Sequence, residues 1–196
     1  MWRRSPSRGV PASKRQNNVD FAKRALLPSF LFYILFMKGA PTVIVDRRVP
    51  RLSARALANF VTDACSAARL KGTPTLLVTS SRRMRELNRR FRGKDYATDV
   101  LSFPSPSFVD GFSGDIAVSA DIASRNARSL GHSAAIEVKI LVLHGVLHLA
   151  GYDHENDDGE MAKKESRLRV RLGLPAALIE RATTKVRGAS ARKTRA

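Results

Sequence analysis

The segment that most constrains this chain is residues 133–150. Ile136, Val138, Ile140, Leu141, Val142, Leu143, Val146, Leu147 and Leu149 leave it apolar on most faces, and Gly151 closes it. A helix of that kind is central and buried, so the rest of the fold must enclose it.

The remaining pattern supplies the enclosure. TVIVDRRV (42–49) is β-branched and alternating and reads as a strand ended by Pro50. Ser53 is a plausible N-cap for a helix to about Arg69, with Ala56, Leu57, Phe60, Val61, Ala64 and Ala68 on one face. A turn over 71–74 leads to a strand at 75–80. Ser81 opens a short helix to about Phe91, in which Met84, Leu87 and Phe91 recur at spacings of three and four. Strands follow at 99–104 and 114–119, separated by a loop over 105–113. A helix over 121–130 precedes the apolar one, and Asp157 or Asp158 caps a last helix to Leu172. The order β-α-β-α-β-β-α-α-α predicts an α/β (α+β) fold: a central mixed four-stranded sheet, about five helices packed against it, and the apolar helix buried.

That buried helix carries chemistry. All four histidines fall between 132 and 154, and three lie in HGVLHLAGYDH (144–154). His144 and His148 are one turn apart on one helix face, so both imidazoles can reach one ion. Gly151 permits a tight exit that returns His154 to the third corner. Three imidazoles suit zinc and leave a fourth position open to water, a nucleophile near neutral pH once bound. Burying three imidazoles without a shared partner would be costly, which argues against a merely structural role. The spacing also occurs in metzincin proteases, but there a glutamate follows the first histidine as general base. Here that place is taken by Gly145, and neither Asp153 nor Glu155 stands at the required helical position, so peptide hydrolysis is disfavoured.

The net charge of +18 suggests a polyanionic partner, but its distribution qualifies this. Residues 1–40 hold eight Lys/Arg against one acid, and 181–196 hold six against none, leaving a net of +5 over 41–180. Three regions follow: a basic, disordered N-terminal extension (1–40), a domain (41–178) and a basic disordered tail (179–196). Solvated charge and salt-dependent attraction to phosphate are compatible roles for the tails. Leu26–Met37 is apolar but short of the ~20 residues of a spanning helix, and Lys38 spoils a signal-peptide cleavage pattern. Translation starting at Met37 is the favoured reading, because recognisable domain sequence begins at Thr42. No stable membrane association is expected. The single cysteine, Cys65, excludes internal disulfides, suits a reducing, cytoplasmic compartment, and reads as a small core residue.

LNRRFRGKDYATDVLSF (87–103), GDIAVS (114–119) and HGVLHLAGYDH (144–154), followed by Met161 and Glu165, give the chain a specific resemblance over about 42–174. It resembles the YbeY family, single-strand-acting endoribonucleases that serve as rRNA maturation factors. The resemblance implies one zinc ion on His144, His148 and His154. It also implies a functional arginine at Arg92, where the planar guanidinium would grip a phosphate. The implied role is 16S rRNA 3′-end processing and ribosome quality control, with single-stranded rRNA and the small ribosomal subunit as partners. A ribosome assembly factor with mainly structural zinc is the alternative; a metalloprotease is a distant third. Residues 1–40 have no counterpart in a typical member.

Other polar residues have bland readings as well as functional ones. His132 reads as an exposed loop histidine, with support of a metal ligand or contact with substrate as the alternative. Asp99 and Asp115 each open a strand; turn and cap hydrogen bonding is the simpler reading, orientation of a ligand histidine the functional one. Ser102 and Phe103 could meet RNA, though a core place suits Phe103 better.

Overall fold

The computed structural model describes residues 40–105, 111–154 and 157–175. The N-terminal extension to residue 39 with Leu26–Met37, the tail beyond 175 and most of the 105–113 loop lie outside the described residues. The elements are β1 (Thr42–Val45), α1 (Ala54–Ala68), β2 (Thr73–Thr79), α2 (Ser81–Arg92), β3 (Val100–Pro104), β4 (Phe112–Ser119), α3 (Ala120–Leu130), α4 (Ala134–Leu149) and α5 (Glu160–Arg171). The predicted order and the four-stranded mixed sheet are found. Strand order is β1-β2-β4-β3, with β1, β2 and β4 parallel and β3 antiparallel to β4.

Serines start four of the helices. Ser53, Ser80, Ser119 and Ser133 each accept a hydrogen bond from the backbone N–H three residues on, satisfying a donor that has no partner inside the helix. The cap of α2 is thus Ser80 rather than Ser81. The cap of α3 is Ser119, so the helix starts at Ala120, one residue before the expected Asp121; the Asp121 carboxylate accepts from Ser81 N at 2.8 Å and from Arg47 at 3.2 Å. Asp157 does serve α5, accepting from Gly159 N and Met161 N, both at 2.8 Å.

Some strand limits differ from expectation. β1 stops at Val45, not Val49, because the amides of Asp46 and Arg47 both turn onto the carbonyl of Val78, ending the ladder. β2 begins two residues early, since Thr73 N reaches Gly111 O at 3.0 Å and Pro74 is accommodated at a shift in register. β4 starts at Phe112 for the same reason: its partner strand is already extended there.

The sheet has two unlike faces. Leu76, Val78, Ile116 and Val118 join α1 and α4 in the main core. On the other face Leu101, Phe103 and Ala117 pack under Met84 and Leu87 of α2. Strand alternation places Thr75 and Asp115 on this second face too. Asp115 is 7% exposed. Burial pushes its carboxyl up to about 7, a hydrogen bond with Thr75 only partly opposing this.

Helix α4 is enclosed as its composition demands: Val138, Val142, Leu143, Val146 and Leu147 are fully buried. It rests on α1, α3, α5, β3 and β4. The closest approach is at Gly145. A Cβ there would stand 2.8 Å from Ile116 Cγ2 and 3.1 Å from Ser102 Oγ. Backbone and sheet meet directly at this point, and the helix tolerates glycine because contact replaces propensity.

Two outcomes follow from this packing. Gly145→Ala adds a methyl where none fits. Helix propensity favours alanine by up to about 1 kcal/mol, but overpacking costs about 1–3 kcal/mol. Urea denaturation should show net destabilisation of about 1–2 kcal/mol. For Asp115, the folded state holds its proton between pH 3.8, the ordinary value, and about 7. Its stabilising contribution is therefore full below about pH 4 and is lost as pH rises through about 7, a change of up to about 4 kcal/mol. Asp115→Asn lacks that loss, so its stability relative to wild type should rise between pH 5 and pH 8 in denaturation curves.

Candidate metal centre

His144 and His148 occupy the last two turns of α4. After Leu149 the chain reverses: Tyr152 N bonds back to Leu147 O at 3.1 Å, and Gly151 takes φ +92°, a left-handed value that suits glycine. The reversal brings His154 to the other two. The three rings have centroids 4.8, 5.2 and 5.1 Å apart, and one nitrogen of each lies within 4.8 Å of the others.

The donors fit a metal ion. His144 Nδ1 lies 2.8 Å from Glu165 Oε2, so Nδ1–H donates to the carboxylate and the Nε2 lone pair faces the centre. His144 Nε2 and His148 Nε2 are 3.2 Å apart. Two nitrogens on a tetrahedral zinc, each about 2.0–2.1 Å from it, are about 3.3 Å apart. Burial, followed by the neighbouring His144 and His154, holds His148 below its ordinary pKa, which favours the neutral imidazole a metal requires.

Glu165 and Arg169, one turn apart on α5, support this arrangement from the core. Arg169 is 1% exposed and its Nη2 donates to Glu165 Oε1. Burial alone would raise the Glu165 pKa, but the hydrogen bond from His144 and the charges of His144 and Arg169 outweigh it and hold the carboxylate below its usual range. One oxygen of Glu165 thus orients a histidine while the other meets a buried cation.

The histidines open onto a cavity of about 540 Å³, whose other walls include Arg92, Lys94, Asp99 and Asp153. Arg92, at the end of α2, donates from Nη2 to Ser102 O at 3.2 Å and stands 6.0 Å from the Phe103 ring centre. Its guanidinium is thereby held at the cavity wall.

The three histidines expected from their spacing are brought together, and Arg92 shares their cavity. Phe103 and Cys65 are buried as expected, and burial pushes the Cys65 thiol up to about 11. Ser102 is buried too, its hydroxyl 3.4 Å from Gly145 O. His132 is not an exposed loop residue: its side chain is 12% exposed and its Nε2 lies 3.2 Å from Glu137 Oε2. Asp99 takes the simpler of its two readings, accepting from Thr98 Oγ1 and Val100 N. The histidine-orienting role considered for Asp99 and Asp115 belongs to Glu165 instead. One sequence signal pointed to it: Glu165 sits between Met161 and Leu168 on the buried face of α5, where a lone acid needs partners.

Glu165→Gln keeps the shape of the side chain but removes its charge. Such a change beside a metal ligand costs about 10–100-fold in metal affinity. Chelator competition on the purified protein should show a loss in that range.

The chain is similar to known proteins. A family model described as Endoribonuclease YbeY matches residues 45–173. A protein of Koribacter versatilis named Endoribonuclease YbeY is 54% identical over 153 residues, covering 78% of this chain and 99% of the relative. One from Helicobacter pylori strain J99, of the same name, is 42% identical over 137 residues, covering 70% and 95%. A solution structure of a Thermotoga maritima protein aligns at 30% identity with a TM-score of 0.47, covering 65% of this chain and 85% of the other. With the family model spanning most of the described residues and relatives matched almost end to end, the chain belongs to the Endoribonuclease YbeY family.

Proposed function

We propose that the protein is a zinc-dependent endoribonuclease that cuts single-stranded RNA. Its expected work is in rRNA maturation, at the 3′ end of 16S rRNA, and in ribosome quality control in the cytoplasm. The observation that carries this reading is the convergence of three imidazole nitrogens, one fixed by Glu165, on a cavity walled by Arg92 and Lys94. Relatives bearing the family name are called endoribonucleases. Among the described residues, no single helix is long and apolar enough to cross a membrane.

His144, His148 and His154 would hold one zinc ion. When bound, the ion supplies Lewis acidity for a phosphodiester and a nucleophile near neutral pH. Arg92 is pre-positioned by Ser102 O and Phe103 to bind a non-bridging phosphate oxygen, where its fork adds charge stabilisation. Lys94 adds a second cation on the same wall. Asp99 and Asp153 are carboxylates of that cavity with the chemistry to accept a proton from the attacking group. Peptide hydrolysis finds no support, because the position after His144 is a glycine packed against the sheet.

The experiment is His148→Ala. It should fold, as judged by circular dichroism, lose the metal and lose cleavage of single-stranded RNA by on the order of 100-fold or more. Full cleavage by folded, metal-free His148→Ala would sink this reading, and absence of cleavage by the zinc-loaded wild-type protein would favour an assembly factor with structural zinc.

A further inference from the structure

We propose that the cavity on the α2 side of the sheet is a subsite for a guanine base of the bound RNA, with Asp115 as its recognition group. This rests on the reading of single-stranded RNA as substrate. The cavity, of about 270 Å³, is separate from the metal centre. Its walls come from three parallel strands and from α2: Ile44, Thr75, Leu77, Asp115 and Leu87 among others. It lies beside the α2 cluster that packs on β3 and β4, with Leu77 of β2 at the margin of that cluster.

Asp115 is the unusual member of this wall. It is more than nine-tenths buried, in a wall that mixes apolar side chains with Asp46, Thr79 and Arg83; Thr79 donates to Asp46 and Arg83 to Glu86. Among the described residues no arginine, lysine or histidine acts on it, and Thr75 is its hydrogen-bonding neighbour. A carboxyl so placed is costly to keep charged, which is why burial raises it to about 7. The metal-site role considered for it is filled by Glu165, and of its cavity neighbours only Thr75 bonds to it, so its acceptor oxygens retain capacity for another donor.

The shape of the acceptor selects the ligand. A carboxylate offers two coplanar acceptor oxygens, and their complement is a flat group with two parallel N–H donors. Among the four RNA bases, guanine presents two adjacent donors, N1–H and N2–H, on its Watson–Crick edge; the others do not. Single-stranded RNA is read by proteins along that edge, with the base faces held against apolar or aromatic side chains. Ile44, Leu77 and Leu87 offer such surfaces here.

Placement supports the same ligand. Leu87 borders this cavity, while the next residue, Asn88, borders the metal cavity. Helix α2 therefore forms the divide between them, and its exposed surface carries Arg82, Arg85 and Arg89. A strand with a base inserted beside Asp115 would cross that basic surface to bring a nearby phosphodiester to the histidines. The site would then set cleavage preference relative to a guanine.

The test is a titration of the full-length, zinc-loaded protein with GMP, IMP and AMP, followed by heteronuclear NMR or calorimetry. IMP differs from GMP only in lacking the N2 amino group. GMP should bind at least about tenfold more tightly than IMP or AMP, since one charge-assisted hydrogen bond is at stake. Asp115→Asn, which should be well folded at neutral pH, should reduce that preference below about threefold with unchanged metal content. Equal binding of the three nucleotides, or a preference that survives in Asp115→Asn, would overturn the subsite. So would arginine amide, a mimic of a protein partner's side chain, binding at Asp115 where GMP does not. Because the readout is binding, failure of RNA cleavage with the GMP preference intact would refute the proposed function alone. Cleavage without the preference would refute the subsite alone.

Discussion

A helix without a polar face is stable only when enclosed, and the enclosure of α4 organises the molecule. Three helices and two strands pack around it, and each fully buried leucine or valine contributes about 1.5–3 kcal/mol relative to exposure. Enclosure leaves one part of α4 in contact with a cavity, its C-terminal end, and that is where His144 and His148 stand. The site is thus as rigid as the core beneath it. The same enclosure brings α5 close enough for Glu165 and Arg169 to reach under the histidines. Removing Glu165 would leave Arg169 a buried charge without this partner, at a cost of about 3–5 kcal/mol.

Electrostatics divide along the same lines. Arg169 and Glu165 form a neutral pair in the core, serving the orientation of His144. Arg92 and Lys94 are free of such duty and face the open cavity. Buried charge here fixes geometry, whereas exposed charge is available to a substrate. The family's chemistry needs both, since a phosphodiester must be attracted and then held in register with a metal.

Much of this was legible in the sequence because the signals are local. Apolar periodicity marked α4, Ser53 and Ser133 marked two helix starts, and a five-residue reach through Gly151 placed His154 beside its partners. What escaped depends on contacts distant in sequence or on competition between nearby groups. Glu165 meets His144 across 21 positions, and its role is visible only once α5 docks. Thr73 lengthens β2 through a bond to Gly111 that no window around residue 73 contains. His132 was misread because loops are usually exposed. Yet Glu137, a fully buried acid on the next helix, required a nearby partner. Asp99 and Asp115 were both expected to open a strand, but only Asp99 does; β4 begins at Phe112, so Asp115 lies within the sheet, paired with Thr75 and Phe103.

Gly145 carries a consequence for the family's evolutionary options. A glycine codon can become a glutamate codon by one base change, and glutamate at this place would complete the local pattern of a zinc peptidase. The change is short in nucleotide terms and long in structural ones. Any side chain at 145 must first displace Ile116 or Ser102 from the sheet, and β4 and β3 would have to move with them. Close packing between helix and sheet therefore acts as a barrier between two hydrolytic chemistries that share the same three histidines.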